Sequence, residues 1–188
     1  MLKTQELLID LDRLSPGGRD ELTRLGLLDP DGKVRPTPYR KHAGQPVVCD
    51  KHAISAPEVL NDARCYGSSF PRGLRLDFGG VRVLLISGTA SIDENGQTVH
   101  VGDLAAQCWR TYRNIAVLLA SEGANWHDVV RKTCYLRDIE RDYEEFNRIR
   151  SSFFQWLGLD PLPASVGVQA RLCRSDLLVE IEAVAVIP

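Results

Sequence analysis

The sequence predicts a two-layer α+β domain, a mixed sheet with two helices on one face. Three observations carry that expectation. Segments 73–78, 81–88, 129–139, 165–172 and 177–187 have the composition of strands. Segments 103–123 and 143–158 repeat apolar residues at helical spacing. Their order along the chain, β-β-α-β-α-β-β, lets both helices cover one side of one sheet.

The elements follow in turn. Residues 1–66 form an N-terminal extension, partly helical and irregular, and residues 67–188 form the domain proper. In the extension, residues 4–14 and 18–27 are amphipathic, and Ser15-Pro16-Gly17-Gly18 reads as a break between them. Asp29-Pro30-Asp31-Gly32 and Pro36-Thr37-Pro38 are turn or extended signals. Residues 57–65 predict one more short helix with Pro57 at its start. GLRLDF (73–78) and VRVLLISG (81–88) flank Gly79-Gly80 and read as a hairpin. Asp93-Glu94-Asn95-Gly96 is a further turn. Asp103 caps a helix whose Ala105, Cys108, Tyr112, Ile115, Leu118 and Leu119 share a face, and Gly123 ends it. Phe146, Ile149, Phe153 and Leu157 form the stripe of the second helix.

Strand alternation assigns faces. In the last strand Val179, Ile181, Ala183 and Ala185 suit the helix layer, which turns Leu178, Glu180, Glu182 and Val184 to the other side. In 165–172, Val166, Val168, Ala170 and Leu172 are expected to face the helices, and Ser165, Gly167, Gln169 and Arg171 to face away. A sheet face left bare is normally covered, so a second subunit is expected against it.

Composition excludes several classes. A chain of 188 residues buries a core without disulfides or metal. The net charge of −2 and the absence of a basic stripe argue against nucleic-acid binding. No apolar run approaches a membrane span, and acids interrupt the N-terminal apolar stretch, against a signal peptide. The cysteines, 49, 65, 108, 134 and 173, are odd in number and scattered, which predicts a reducing cytoplasm. Cys108 and Cys134 fall on core-facing patterns. His42, Cys49, His52 and Cys65 are the one metal-like set, and their spacing matches no zinc pattern, so no metal is expected. His100, just before the Gly102-Asp103 helix start, is a candidate for the border of a cleft.

The residues from about 70 onward resemble the Rid (YjgF) family. The matching segments are Ser87-Gly88-Thr89, Gly102-Asp103 with Gln107 one turn later, Asn114, and Tyr135-Leu136-Arg137-Asp138-Ile139. Asn147, Pro163-Ala164 and Glu180-Ile181-Glu182-Ala183 complete the set in the family's order. The resemblance implies a chorismate-mutase-like, barrel-forming homotrimer with ligand clefts between subunits. The family's deaminating members hydrolyse enamines and imines such as 2-aminoacrylate to 2-oxo acids and ammonia. They hold the substrate carboxylate with the arginine of a Pro-Ala-Arg-Ser motif. Here that stretch reads Pro163-Ala164-Ser165-Val166. Serine cannot make the bidentate, charge-assisted contact of an arginine. Gly167 stands where many members have a cysteine.

The resemblance assigns Glu180 to the catalytic position, where a glutamate positions or activates water. It puts Ser87, Gly88 and Thr89 on the strand lining the cleft. Arg72, in Ser69-Phe70-Pro71-Arg72, occupies the place of a cleft tyrosine, so it is expected to take over anion binding with help from Ser165. Arg171 and Arg174 are alternative cations, and Cys173 beside Arg174 is a candidate thiolate. Glu182 reads as structural, since two adjacent carboxylates do not ionise easily together. The leading expectation is hydrolysis of an enamine or imine of a small carboxylate-bearing metabolite, without a cofactor, because water addition needs only positioning and proton transfer. Ser87 to Ile92 and Cys173 to Glu180 also resemble segments of chorismatases. Chorismatase-like hydrolysis of an enol ether, or a non-catalytic small-ligand-binding trimer, are the alternative expectations.

Overall fold

A computed structural model of the chain describes residues 13–28, 49–61 and 69–188. The chain divides into two compact units, residues 1–46 and 47–188. The first contains helix α1 (Pro16–Arg24). Ser15 is its N-cap, the Ser15 hydroxyl accepting from the Gly18 N–H, with Pro16 in the first turn. Ser15-Pro16 therefore starts this helix. The expected helix over residues 4–14 lies outside the described residues except at its last two positions.

The second unit is built on a six-stranded sheet in the order β1-β2-β3-β6-β4-β5. Its strands are β1 (Asp50–Ile54), β2 (Gly73–Phe78), β3 (Val81–Ala90), β4 (Val129–Leu136), β5 (Ala164–Gln169) and β6 (Val179–Ile187). β1 pairs antiparallel with β2, so the division expected at 66/67 falls inside this unit. Sequence did not announce β1, because Asp50-Lys51-His52 carries no apolar alternation. Residues 57–60 make a turn, with the Val59 and Leu60 N–H groups both donating to the Ala56 carbonyl, in place of the first turn of the expected helix. The remainder of that helix lies outside the described residues.

β6 is central, antiparallel to β3 on one side and to β4 on the other. β5 runs parallel to β4 and occupies the edge. A parallel pair needs a crossover, and helix α3 (Ile139–Leu157) supplies it. α3 starts four residues earlier than the sequence pattern implies. Asp138 accepts from the Arg141 N–H as N-cap and ends the strand early at Leu136. Gly158, at φ 67°, closes the helix. Helix α2 (Leu104–Ser121) is capped by Asp103, which accepts from the Ala106 N–H.

The core lies between the two helices and the facing side of the sheet. Ile181, Ala183 and Ala185 meet Cys108, Ile115, Leu118 and Leu119 of α2 and Phe146 and Ile149 of α3 in one cluster. Tyr112 stacks on Phe153 with ring centroids 4.4 Å apart, and Trp126 stands edge-on to both. Two buried amides tie loops to α2. Gln107 donates to the carbonyls of His100 and Asp176 and accepts from the Leu178 N–H. Asn114 donates to the carbonyls of Ala90 and Ile92, both at 2.9 Å. Arg137 donates to the carbonyls of Leu177 and Arg174 and so pins the segment between β5 and β6. The other side of the sheet carries Leu74, Leu76, Val83, Leu85 and Val184, which stay half-buried or exposed. Among the described residues no helix is long and apolar enough to cross a membrane.

Replacing Asn114 with alanine takes one donor from each of two carbonyls, while Ala90 keeps the Ile92 N–H and Ile92 keeps Arg110 Nε. The expected cost is about 1–3 kcal/mol. It is read as a lower urea midpoint at unchanged m-value and fixed protein concentration.

Candidate functional site

Alternation along β6 sends Glu180 and Glu182 to the side of the sheet away from the helices. Glu180 is half-buried, and its carboxyl is pushed above the usual carboxylate range, first by desolvation and then by the charge of Glu182. Its Oε1 lies so close to the Gly88 backbone that a Cβ at that position would sit 2.0 Å away. Gly88 falls where the β3–β6 register slips between Ile86 and Thr89, and it is exposed. The register slip and the missing side chain together give the carboxylate its place. Tyr135 is paired with Glu180 across the strands. Its phenol is pushed up by desolvation first, then by the neighbouring Glu182 and Glu180.

Next to Gly88, the Ser87 hydroxyl donates to the Pro71 carbonyl at 2.9 Å, and the Ser87 N–H donates to the Arg72 carbonyl. Thr89 is buried, its hydroxyl donating to the Ser87 carbonyl. Arg72 donates from Nε to the Asn61 carbonyl at 3.0 Å and from Nη2 to Asn61 Oδ1 at 2.8 Å. One edge of the guanidinium therefore binds the chain segment before β2.

The helix side of the sheet holds a second set. β5 pairs with β4 so that Ser165 lies opposite Lys132, Gly167 opposite Cys134 and Gln169 opposite Leu136. Lys132, Cys134 and Leu136 face the helices and are essentially inaccessible. Ser165, Gly167 and Gln169 therefore share that side, and Gln169 accepts from the Ile139 N–H at the start of α3. This overturns the expected facing of 165–169. Val166 and Val168 point away from the helices and are exposed. The apolar composition of the valines carried the expectation. The register of a parallel edge strand, which sequence does not display, decided the outcome.

Ser165 and Gly167 line a groove of about 810 Å³ between β5, α3 and the turn after α3. At its floor, Lys132 is 1% exposed. Its Nζ donates to Ser165 Oγ at 2.9 Å and to Cys134 Sγ at 3.3 Å. The ammonium also lies 5.2 Å from the centroid of the Phe154 ring. Burial pulls its pKa down, the thiol of Cys134 opposes that, and the charge of Arg150 adds to it. Lys132 was not singled out from sequence. The available signal was parity, because it shares its strand face with Cys134 and Leu136, and a lysine there is a buried cation.

The site residues expected from sequence thus separate within one chain. Glu180, Gly88 and Glu182 gather on one side of the sheet, and Ser165 and Gly167 on the other. Arg171 and Cys173 lie exposed in the segment after β5. Arg174 donates to the Gly96 carbonyl at 2.8 Å, holding that segment to the turn before α2. His100 has φ 61°, and its carbonyl accepts from Gln107 at the start of α2. Cys108 is fully buried, its thiol pushed up to about 12 by desolvation, in keeping with packing. His52 Nε2 lies 3.5 Å from Asp77, while His42 and Cys65 are outside the described residues. No three His, Cys, Asp or Glu side chains cluster as a metal site among the described residues.

The sequence profile of the Endoribonuclease L-PSP family matches residues 80–187, more than half of the chain. The chain belongs to the Rid/YjgF family. Among its relatives is the 3-aminoacrylate deaminase RutC of Acinetobacter baylyi, 35% identical over 103 residues, which span 55% of this chain and 78% of RutC. A RutC family protein of Pyrococcus abyssi is 32% identical over 54% of this chain and 76% of its own. The crystal structure of the Escherichia coli YjgF gene product superposes with a TM-score of 0.60 at 22% identity. That match covers 73% of this chain and 99% of the other. This Rid/YjgF member therefore has its family's fold.

Two measurements check the site as built. In a Gly88→Ala variant the new methyl must push the Glu180 carboxylate aside by roughly 1 Å or more to restore van der Waals spacing. A crystal structure with the carboxylate unmoved contradicts the close approach. For Lys132, the folded state binds fewer protons than the unfolded chain between the lowered pKa and the ordinary 10.5. Its contribution to stability therefore rises with pH through that window. The stability difference between wild type and Lys132→Met is expected to shift in favour of wild type from about pH 8 to about pH 10. A pH-independent difference removes the lysine from the buried floor.

Proposed function

We propose that this Rid/YjgF protein hydrolyses an enamine or imine of a carboxylic acid, releasing ammonia and the corresponding oxo acid. The observation that carries the reading is Glu180. Its half-buried carboxyl with a raised pKa, held over Gly88, suits a group that takes a proton from water and returns it. An enamine first moves a proton from nitrogen to carbon and becomes an imine. Water then adds to the imine carbon while Glu180 accepts a water proton and passes it to the nitrogen. Glu180 next takes the proton of the new hydroxyl and gives it to the nitrogen as the C–N bond breaks, so that ammonia leaves and the carbonyl forms. Positioning and one proton relay suffice for this sequence. The likeness to RutC, named for 3-aminoacrylate deamination, supports the same reaction class.

The reading includes a homotrimer. Glu180 and Ser165 are on opposite faces of one sheet, so a cleft using both needs Glu180 from one copy and Ser165 from its neighbour. The half-exposed apolar side chains of the helix-free face are the surface that such copies would bury. Ser165, with its hydroxyl directed to the groove, would meet the carboxylate end of the substrate.

An amino-acid oxidase generating 2-imino acids in the presence of semicarbazide tests the reaction. The protein is expected to lower semicarbazone formation, and Glu180→Gln to abolish that effect with the oligomer intact by light scattering. Full activity of Glu180→Gln sinks the assignment. The rate is also expected to rise with pH through the raised Glu180 pKa, since the carboxylate is the working form. Co-expression of Glu180→Gln with Ser165→Trp, each inactive alone, tests the shared cleft. Random assembly restores about a quarter of the sites if the residues come from different copies, and none if they come from one.

A further inference from the structure

The groove on the α3 side offers a cation where the family motif has lost one. Position 165 is a serine, yet its hydroxyl accepts from the ammonium of Lys132, which arrives from the neighbouring strand. A serine oxygen that accepts this bond keeps its own proton for a ligand. No carboxylate is among the charges acting on Lys132, and the same groove is lined by Arg150 and Asp160. A buried cation without a carboxylate of its own can take up an anion.

The groove also has a size and a lining. At about 810 Å³ it is far larger than a three-carbon acid requires. Such an acid takes no more space than about four waters at ~30 Å³ each. Phe154, Leu159, Leu162 and Tyr143 form the apolar part of its wall, beside Arg150, Ser151, Gln155 and Asp160. One end is cationic and hydrogen-bonding, and the rest is suited to a hydrophobic tail.

We propose that Lys132 and Ser165 together bind the carboxylate of the substrate, and that the apolar walls select an acid with an aromatic or large aliphatic side chain. This rests on the proposed deamination for the word substrate, but the binding itself needs no turnover. Ser165 donates directly to a carboxylate oxygen. Lys132 holds Ser165 in that orientation and supplies the charge from behind. Arg150, at the wall, adds to the field that attracts the acid. Phe154 stacks beneath the ammonium and favours its charged form. The cation of the family motif has in effect moved from β5 to β4, one strand inward.

Calorimetric titration of the full-length protein with phenylpyruvate, pyruvate and the uncharged phenylacetone tests this. Phenylpyruvate is expected to bind about tenfold or more tightly than either of the others, since it alone has both the charge and the tail. Lys132→Met is expected to lose about tenfold or more in phenylpyruvate affinity, and Ser165→Ala several-fold. Leu162→Ala is expected to weaken phenylpyruvate more than it weakens pyruvate. Should Lys132→Met not fold, Ser165→Ala and Leu162→Ala decide the matter. Equal affinity for phenylacetone and phenylpyruvate, or unchanged binding in the variants, overturns the proposal. So does labelling of Ser165 by a fluorophosphonate, which would make the pair a nucleophile and its base rather than an anion site. Binding that depends on Lys132 without any imine hydrolysis removes the proposed reaction and leaves this inference standing. Imine hydrolysis with Lys132-independent binding does the reverse.

Discussion

The two-residue period of a single strand governs this molecule. β6 lies at the centre of the sheet, paired on both sides, and alternates without interruption from Val179 to Ile187. Odd positions are sealed under α2 and α3, and even positions are turned away from them. Every neighbour inherits that division through its register. A slip of one residue would exchange Glu180 with Ile181, burying a carboxylate in the apolar core and exposing an isoleucine, at several kcal/mol for the charge alone. The packed aromatic cluster and the two amide ties from α2 exist on one side because the acids are on the other.

The two faces were unequally legible in the sequence. For β6, alternation of apolar and acidic residues makes the facing unambiguous. α2 was equally plain, with an aspartate cap, an apolar stripe and a closing glycine. β5 was not, because all its residues are small or modestly apolar and either facing satisfies composition. Its register against β4 places a serine inward and two valines outward, which only the pairing reveals. Asp138 shows a different gap. Its cap competes with strand continuation, and local alternation does not weigh a cap against a ladder. β1 was missed because its side chains are charged and its place comes from β2, a partner distant in sequence.

Lys132 places a cation against Ser165 from the neighbouring strand. An arginine at position 165 would bring its guanidinium from the edge strand. A lysine from the next strand needs a longer reach and is more deeply desolvated. The structure meets that desolvation with three soft contacts: a hydroxyl, a thiol and an aromatic face. None carries a full negative charge, so the amine stays responsive to whatever anion arrives. The same arrangement narrows the choice of ligand, because the point charge of an ammonium lacks the planar fork with which a guanidinium grips a carboxylate.

The two ends of the sheet are defended differently. β1 begins with Asp50, Lys51 and His52, all exposed, and a charged margin discourages another chain from pairing there. β5 reads Ala-Ser-Val-Gly-Val-Gln, exposed along its whole length and without a single charge. One border of the sheet is guarded and the other is adhesive. Growth from a guarded border stops, whereas an adhesive border must meet a surface that closes on itself or it will recruit without limit. Charge insertion at Val166 or Val168 therefore acts on solubility, since it guards this border as Asp50 and Lys51 guard the other.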